Sequence, residues 1–182
     1  MSSASASASA SPSQSPSASA SASALASPSQ LSTASASAVL AFPPAEPQQS
    51  AQRLAEKLAH YADAWDLATD LAHGIDAIVV IDTRSEQHYQ RGHIPGAVSF
   101  PHRLMTAESL AALDRAKVYI TYCDGIGCNG STKGAWKLAS AGLRVKELIG
   151  GLDFWQRDQH PLAAGTEPGS WPQQSSQPEC GC

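Results

Sequence analysis

Two periods of apolar and polar residues divide the chain after residue 50. Residues 51–60 (AQRLAEKLAH) have helical composition, and 62–74 (ADAWDLATDLAHG) place Trp65, Leu67, Ala68 and Leu71 within helical reach of one another, with Gly74 as a stop. A short strand is expected between them, near residues 57–61. Residues 77–81 are then apolar without alternation, the pattern of a strand buried on both faces of a parallel sheet. SEQHYQRG predicts a short helix ending at Gly92, residues 97–100 a short strand, and 107–116 another helix. KVYITYC (117–123) is rich in β-branched and aromatic residues and predicts a second buried strand. Glycines at 125, 127 and 130 break regular structure after it. STKGAWKLASAG follows as a helix capped by Ser131 or Thr132, apolar at 135, 138 and 139 and closed by Gly142. RVKELI (144–149) predicts a third strand, and a last short helix is limited by Pro161. Strands alternating with helices at this spacing predict an α/β domain with a mostly parallel sheet.

The rest of the chain follows other rules. Residues 1–50 are nearly all Ser, Ala, Pro and Gln, and Glu46 is their only charged residue. Such a segment has too little apolar surface to offset its ordering entropy, and disorder is expected. Strict Ser-Ala alternation also fits a silk-like β arrangement, against which the repeated Pro and small Ala side chains weigh. Residues 51–163 suffice for one domain, and 164–182 read as a flexible tail. There is no basic n-region before an apolar core, no Arg before Arg53, and no apolar run long enough to span a bilayer. A cytoplasmic location is therefore expected. The net charge of −4 argues against nucleic acid and anionic membranes as partners. Four cysteines, at 123, 128, 180 and 182, are sparse for a disulfide scaffold and point to chemistry.

Cys123 is the strongest candidate. In a parallel sheet, ligands bind beyond the carboxyl ends of the strands, where Cys123 falls. The helix that follows presents free N–H groups, and a glycine-bearing loop lets more of them converge on one point. Such a ring stabilises a thiolate and would hold a persulfide or an oxyanion. A buried strand-end Cys acting as a small hydrophobe is the competing reading.

IDTRSEQHYQRGHIPGAVSFP, followed in register by YITYC and STKGAWKLASAGLRVKELIGGLDFW, resembles the rhodanese family over about residues 52–161. The resemblance implies a small single α/β domain whose Cys nucleophile accepts sulfane sulfur as a persulfide and passes it to a thiol or similar acceptor. Its partners would be a small sulfur donor and a thiol acceptor, either a small molecule or a protein; no cofactor is implied. The nucleophile is then Cys123, and Asp124, Gly125, Ile126, Gly127, Cys128, Asn129, Gly130, Ser131 and Thr132 form the cradle. Asp82, Arg84, His93 and Gly96 match the first motif and are expected to be structural. Arg84 should pair within its own subdomain, with Gly92, Pro95 and Gly96 shaping the turn.

The match departs from the family at the loop. With Thr132 taken as the helix-starting residue, Cys123 lies nine positions earlier, and the loop is longer than usual. It holds no Arg or Lys and sets Asp124 beside the nucleophile, which disfavours the dianion thiosulfate; only Lys133, and Arg84 or Lys137, could offset this. The related phosphatases need Cys-x5-Arg, but the residue six after Cys123 is Asn129 and six after Cys128 is Gly134. Cys128 is either a resolving thiol or a packed loop residue. Cys180 and Cys182 do not fit common zinc spacings, and no His pair marks a metal site. Trp136 and Trp155 are expected in packing, and His102 either lines the pocket or lies on the surface. A non-catalytic binding or redox-sensing module using Cys123 and Cys128 is the alternative to an enzyme.

Overall fold

The structure is a computed structural model that describes residues 37–172. The chain divides at Ala45. Before the division, the described residues hold a 3-10 turn, Val39–Ala41, with Val39, Leu40 and Phe42 exposed. After it come six helices and five strands: α1 Pro47–His60, β1 Tyr61–Ala62, α2 Ala64–Ala72, β2 Ile78–Asp82, α3 Glu86–Arg91, β3 Val98–Ser99, α4 Ala107–Ala111, β4 Val118–Tyr122, α5 Gly130–Ser140, β5 Arg144–Leu148 and α6 Gly151–Arg157. No helix among the described residues is long and apolar enough to cross a membrane.

The sheet is wholly parallel, in the order β1-β5-β4-β2-β3. Successive strand residues face opposite sides, and this sorts the core into two layers. Val80 of β2 and Ile120 and Tyr122 of β4 pack with Ala64, Leu67, Tyr89, Leu152 and Trp155, which come from α2, α3 and α6. Their neighbours Ile81 and Tyr119 pack on the other face with Met105, Leu110, Leu138 and Leu143, beneath α4 and α5.

Local signals act as expected at several ends. Asp63 caps α2 by accepting from the Asp66 N–H at 2.8 Å, and Ser85 caps α3. Helix α1 begins at Pro47, because proline at the first position costs no intrahelical bond. The short strand expected near 57–61 is β1, displaced to Tyr61–Ala62 because α1 runs on to His60. Residues 164–171 are irregular, but they are anchored. Ala163 exchanges backbone hydrogen bonds with His93, Gly165 N–H donates to Gln90 O, Gly96 N–H donates to Pro168 O, and Trp171 packs edge-on against Trp155.

One register positions everything that follows. Ile78 through Asp82 pair in order with Val118 through Tyr122, so β2 and β4 end level. The residues just beyond them, Thr83–Arg84 and Cys123–Asp124, emerge side by side at the carboxyl edge of the sheet.

Candidate active site

Cys123 follows β4 directly and is 3 % exposed. Its backbone is clamped from two sides. Thr83 donates to the Tyr122 carbonyl through both its N–H (3.1 Å) and its hydroxyl (2.7 Å). On the other side the first turn of α6 donates from Leu152 N–H to Cys123 O (3.0 Å) and from Asp153 N–H to Asp124 O (2.8 Å). Gly151 permits this approach. It has φ +54, and a Cβ there would collide with the Cys123 carbonyl, so the Gly-Gly pair lets a helix end close onto the Cys123 backbone.

Residues 123–129 form the loop. Cys128 N–H donates to Gly125 O at 3.0 Å, and this turn brings Cys128 back to Cys123, to which it is joined by a disulfide with Cα atoms 6.3 Å apart. Cys128 is half-buried, Ile126 at the tip is 76 % exposed, and Asn129 is exposed. Gly130 opens α5 against both sulfurs: a Cβ there would lie 2.9 Å from Cys123 Sγ and 3.4 Å from Cys128 Sγ. The first intrahelical bond of α5 runs from Lys133 N–H to Asn129 O. The N–H groups of Gly130, Ser131 and Thr132 precede it and are the ones a helix start offers to an anion.

This corrects the expected helix start. Asn129, not Ser131 or Thr132, holds the cap position, and it makes no side-chain cap bond. Ser131 and Thr132 lie in the first turn, and both hydroxyls donate to Glu147 Oε1 of β5, at 2.6 and 2.8 Å. A charged acceptor on the neighbouring strand outcompetes local capping.

Asp124 and Arg84 settle each other's role. Arg84 is almost fully buried; its Nε donates to both Asp82 carboxylate oxygens (2.9 and 3.1 Å), and one terminal nitrogen donates to Asp82 Oδ2 and to Gly92 O, each at 2.6 Å. The other reaches Asp124 Oδ1 at 3.0 Å. Burial works against this cation, but hydrogen bonding and charge from Asp82, then Asp124, hold its pKa above the ordinary guanidinium value. Tyr122 closes the network by donating to Asp82 Oδ2 at 2.8 Å while accepting from Ile94 N–H at 3.2 Å. Burial first, then the Asp82 charge, raises its pKa and keeps it a phenol. Arg84 is therefore structural, as expected, and bridges the ends of β2 and β4. His93 is also structural: it is fully buried, stacks on Tyr89 with centroids 3.7 Å apart, and its Nδ1 lies 2.8 Å from Tyr89 O.

The cations weighed for an anionic donor are mostly engaged. Lys137 donates to His102 O (2.7 Å) and Met105 O (3.1 Å), which leaves Lys133 exposed near the start of α5. Asp153 adds a second acid, with its carboxylate packed against Gly125. His102 lies at the site: its Cδ2 would be 3.4 Å from a Cβ on Gly130. Burial, then the charges of Lys133, Arg103 and Lys137, lower its pKa and favour the neutral imidazole. Trp155 is fully buried, whereas Trp136 is 68 % exposed on the outer face of α5, which corrects its expected packing role. Cys123, Asp124 and Cys128 are the grouped potential metal ligands among the described residues, and here the two sulfurs are bonded to each other. Cys180 and Cys182 lie outside the described residues.

Gly151, Asp153, Tyr122 and Glu147 belong to the site's frame but were not foreseen. The Gly-Gly pair and a lone acid within the RVKEL strand were the signals that could have found two of them.

Comparison with known proteins agrees with this architecture. The sequence model of the family described as "Rhodanese-like domain" matches residues 64–158. The BH2092 protein of Bacillus halodurans is 39 % identical, with a TM-score of 0.63 over 66 % of this chain and 88 % of its own. The rhodanese-like domain of the Alr3790 protein from Anabaena is 25 % identical, with a TM-score of 0.52 over 66 % of this chain and 92 % of its own. Among curated proteins, the HTH-type transcriptional regulator Rv0324 of Mycobacterium tuberculosis is 32 % identical over 92 residues, 50 % of this chain. The matched part spans 40 % of that regulator's length.

Proposed function

The chain belongs to the rhodanese-like domain family, and on that premise we propose that it is a sulfurtransferase that carries sulfane sulfur on Cys123. The observation that carries this reading is the placement of Cys123: buried at the end of β4, with α5 starting against its sulfur at a glycine. Reduction of the disulfide frees the thiol. Its thiolate is favoured by the helix start and attacks the outer sulfur of a donor. The donor's S–S bond breaks, the donor leaves as a thiolate or sulfite, and a Cys123 persulfide remains. An acceptor thiolate then attacks the outer sulfur and Cys123 leaves as thiolate. The Cys123 proton is lost to solvent as the thiolate forms. In this reading the cradle runs from Asp124 to Thr132 and acts mainly through backbone N–H groups.

The surroundings favour a donor other than thiosulfate. Arg84 is spent on Asp82, Asp124 and Gly92, and Asp124 and Asp153 both border the loop. A persulfide such as glutathione persulfide carries at most about one negative charge at its reacting end and meets less repulsion there than the dianion thiosulfate. The test is sulfur transfer to a thiol acceptor from each donor. Transfer by the reduced wild type, faster from the persulfide and lost in Cys123→Ser, is the expected result; equal rates in Cys123→Ser would end the proposal.

A second reading is favoured by the Cys123–Cys128 disulfide itself: a redox-sensing module with no sulfur turnover. The similar segment in a transcriptional regulator fits such a use. Absence of transfer with every donor, together with reversible disulfide formation near cellular potentials, would select it.

A further inference from the structure

We propose that Cys128 is a second catalytic residue, which resolves the Cys123 persulfide and releases its sulfur as hydrosulfide, and that the acceptor class is a dithiol reductant. This rests on the sulfurtransferase reading of Cys123. Three observations carry it. The loop turn at Gly125 and Cys128 places the two sulfurs in bonding contact. Gly130 leaves room for both sulfurs at once, and any side chain there would meet both. The pair is also asymmetric. Cys123 is buried and its backbone is clamped by Thr83 and α6, whereas Cys128 is half-buried and follows two glycines and an exposed Ile126.

The chemistry balances in two steps. The Cys128 thiolate attacks Cys123 Sγ; the Cys123–Cys128 bond forms, the bond to the outer sulfur breaks, and that sulfur departs as hydrosulfide. The sulfane sulfur is reduced by two electrons, and the two cysteines supply them by becoming the disulfide seen here. A dithiol then attacks Cys128, the more accessible sulfur, and Cys123 leaves as the thiolate stabilised by the start of α5. The second thiol of the reductant displaces Cys128, and the reductant leaves as its own disulfide with both cysteines restored. A simple persulfide carrier needs no second thiol in contact with the first and no glycine shaped around both.

The test uses the full chain with Cys180 and Cys182 changed to serine, with and without Cys128→Ser. Each protein is reduced, desalted, treated with glutathione persulfide, desalted again and held without reductant. Expected for the chain retaining Cys128 is release of hydrosulfide, leaving a protein two hydrogens lighter than the reduced form. The Cys128→Ser chain is expected to keep one added sulfur and to release hydrosulfide at least about ten-fold more slowly. If both chains keep the added sulfur, the resolving role fails while the sulfurtransferase reading stands. If neither gains sulfur, the sulfurtransferase reading fails and this inference falls with it. If only the chain retaining Cys128 gains sulfur, Cys128 is the carrier and the proposed order of steps is wrong. Cys128→Ala, judged by the same masses, covers a serine variant that fails to fold.

Discussion

Replacing Arg84 with methionine keeps most of the side-chain volume and removes the cation at the end of β2. The Asp82 side chain is 1 % exposed, and Arg84 supplies three of the contacts to its carboxylate through side-chain nitrogens. The Tyr122 hydroxyl and the Arg84 backbone N–H remain as donors, so the carboxylate keeps hydrogen bonds but loses its counter-charge. Breaking a buried pair from one side costs about 3–5 kcal/mol. The exposed Asp124 partner, with its side chain 52 % accessible, adds little to that sum. For a domain of this size such a loss lowers the melting midpoint by roughly 10–20 °C. The assay is urea unfolding of wild type, Arg84→Met, and the double variant Asp82→Asn with Arg84→Met. The double variant removes the stranded charge and is expected to regain at least about 1 kcal/mol over the single one. An Arg84→Met loss below about 1 kcal/mol would refute the reasoning, as would a double variant less stable than the single.

The other expectations concern the loop and its supports. Gly130→Ala puts a methyl 2.9 Å from Cys123 Sγ and 3.4 Å from Cys128 Sγ; disulfide formation, followed by thiol titration, should fall at least about ten-fold while the fold persists by circular dichroism. Glu147→Leu removes the acceptor of Ser131 and Thr132 and should cost about 1–3 kcal/mol in urea unfolding, chiefly through the buried Ser131 hydroxyl. His160, its ring tilted against Trp155 with centroids 4.7 Å apart, has its pKa lowered chiefly by burial, with Asp158 opposing. The unfolded chain therefore binds the extra proton first, so stability falls as pH drops through about 6.5, the unfolded value. His160→Gln should show a shallower loss of melting temperature over that range; an unchanged slope would speak against it.

The layered α/β architecture was legible because one strand is written as an unbroken apolar run at 77–81 and another as a run rich in β-branched and aromatic residues at 117–123, with helical patterns between the strands. The place of Cys123 followed from the same pattern, since the residue after a buried parallel strand lies at the sheet's carboxyl edge. Details that depend on side chains from distant elements were not legible. Ser131 and Thr132 read as caps because local sequence offers them nothing else, but Glu147 is brought alongside by the β4–β5 pairing. Arg84 read correctly as structural, yet its reach to Asp124 requires the level ends of β2 and β4. Trp136 fits a helical pattern, but its helix already seals the sheet with Gly134 and Leu138, and the indole is left facing outward. A five-residue spacing permits a disulfide without requiring one; the turn at Gly125 decides it.

The most direct measurement is the mass of the full chain after exposure to a sulfane donor, with the added atom mapped to a peptide. Cys128→Ser, reduced and treated with glutathione persulfide, should gain one sulfur on the peptide containing Cys123, and Cys123→Ser should gain none there. An unmodified Cys123 peptide, with the sulfur elsewhere or absent, would contradict the assignment of Cys123 as the sulfur carrier.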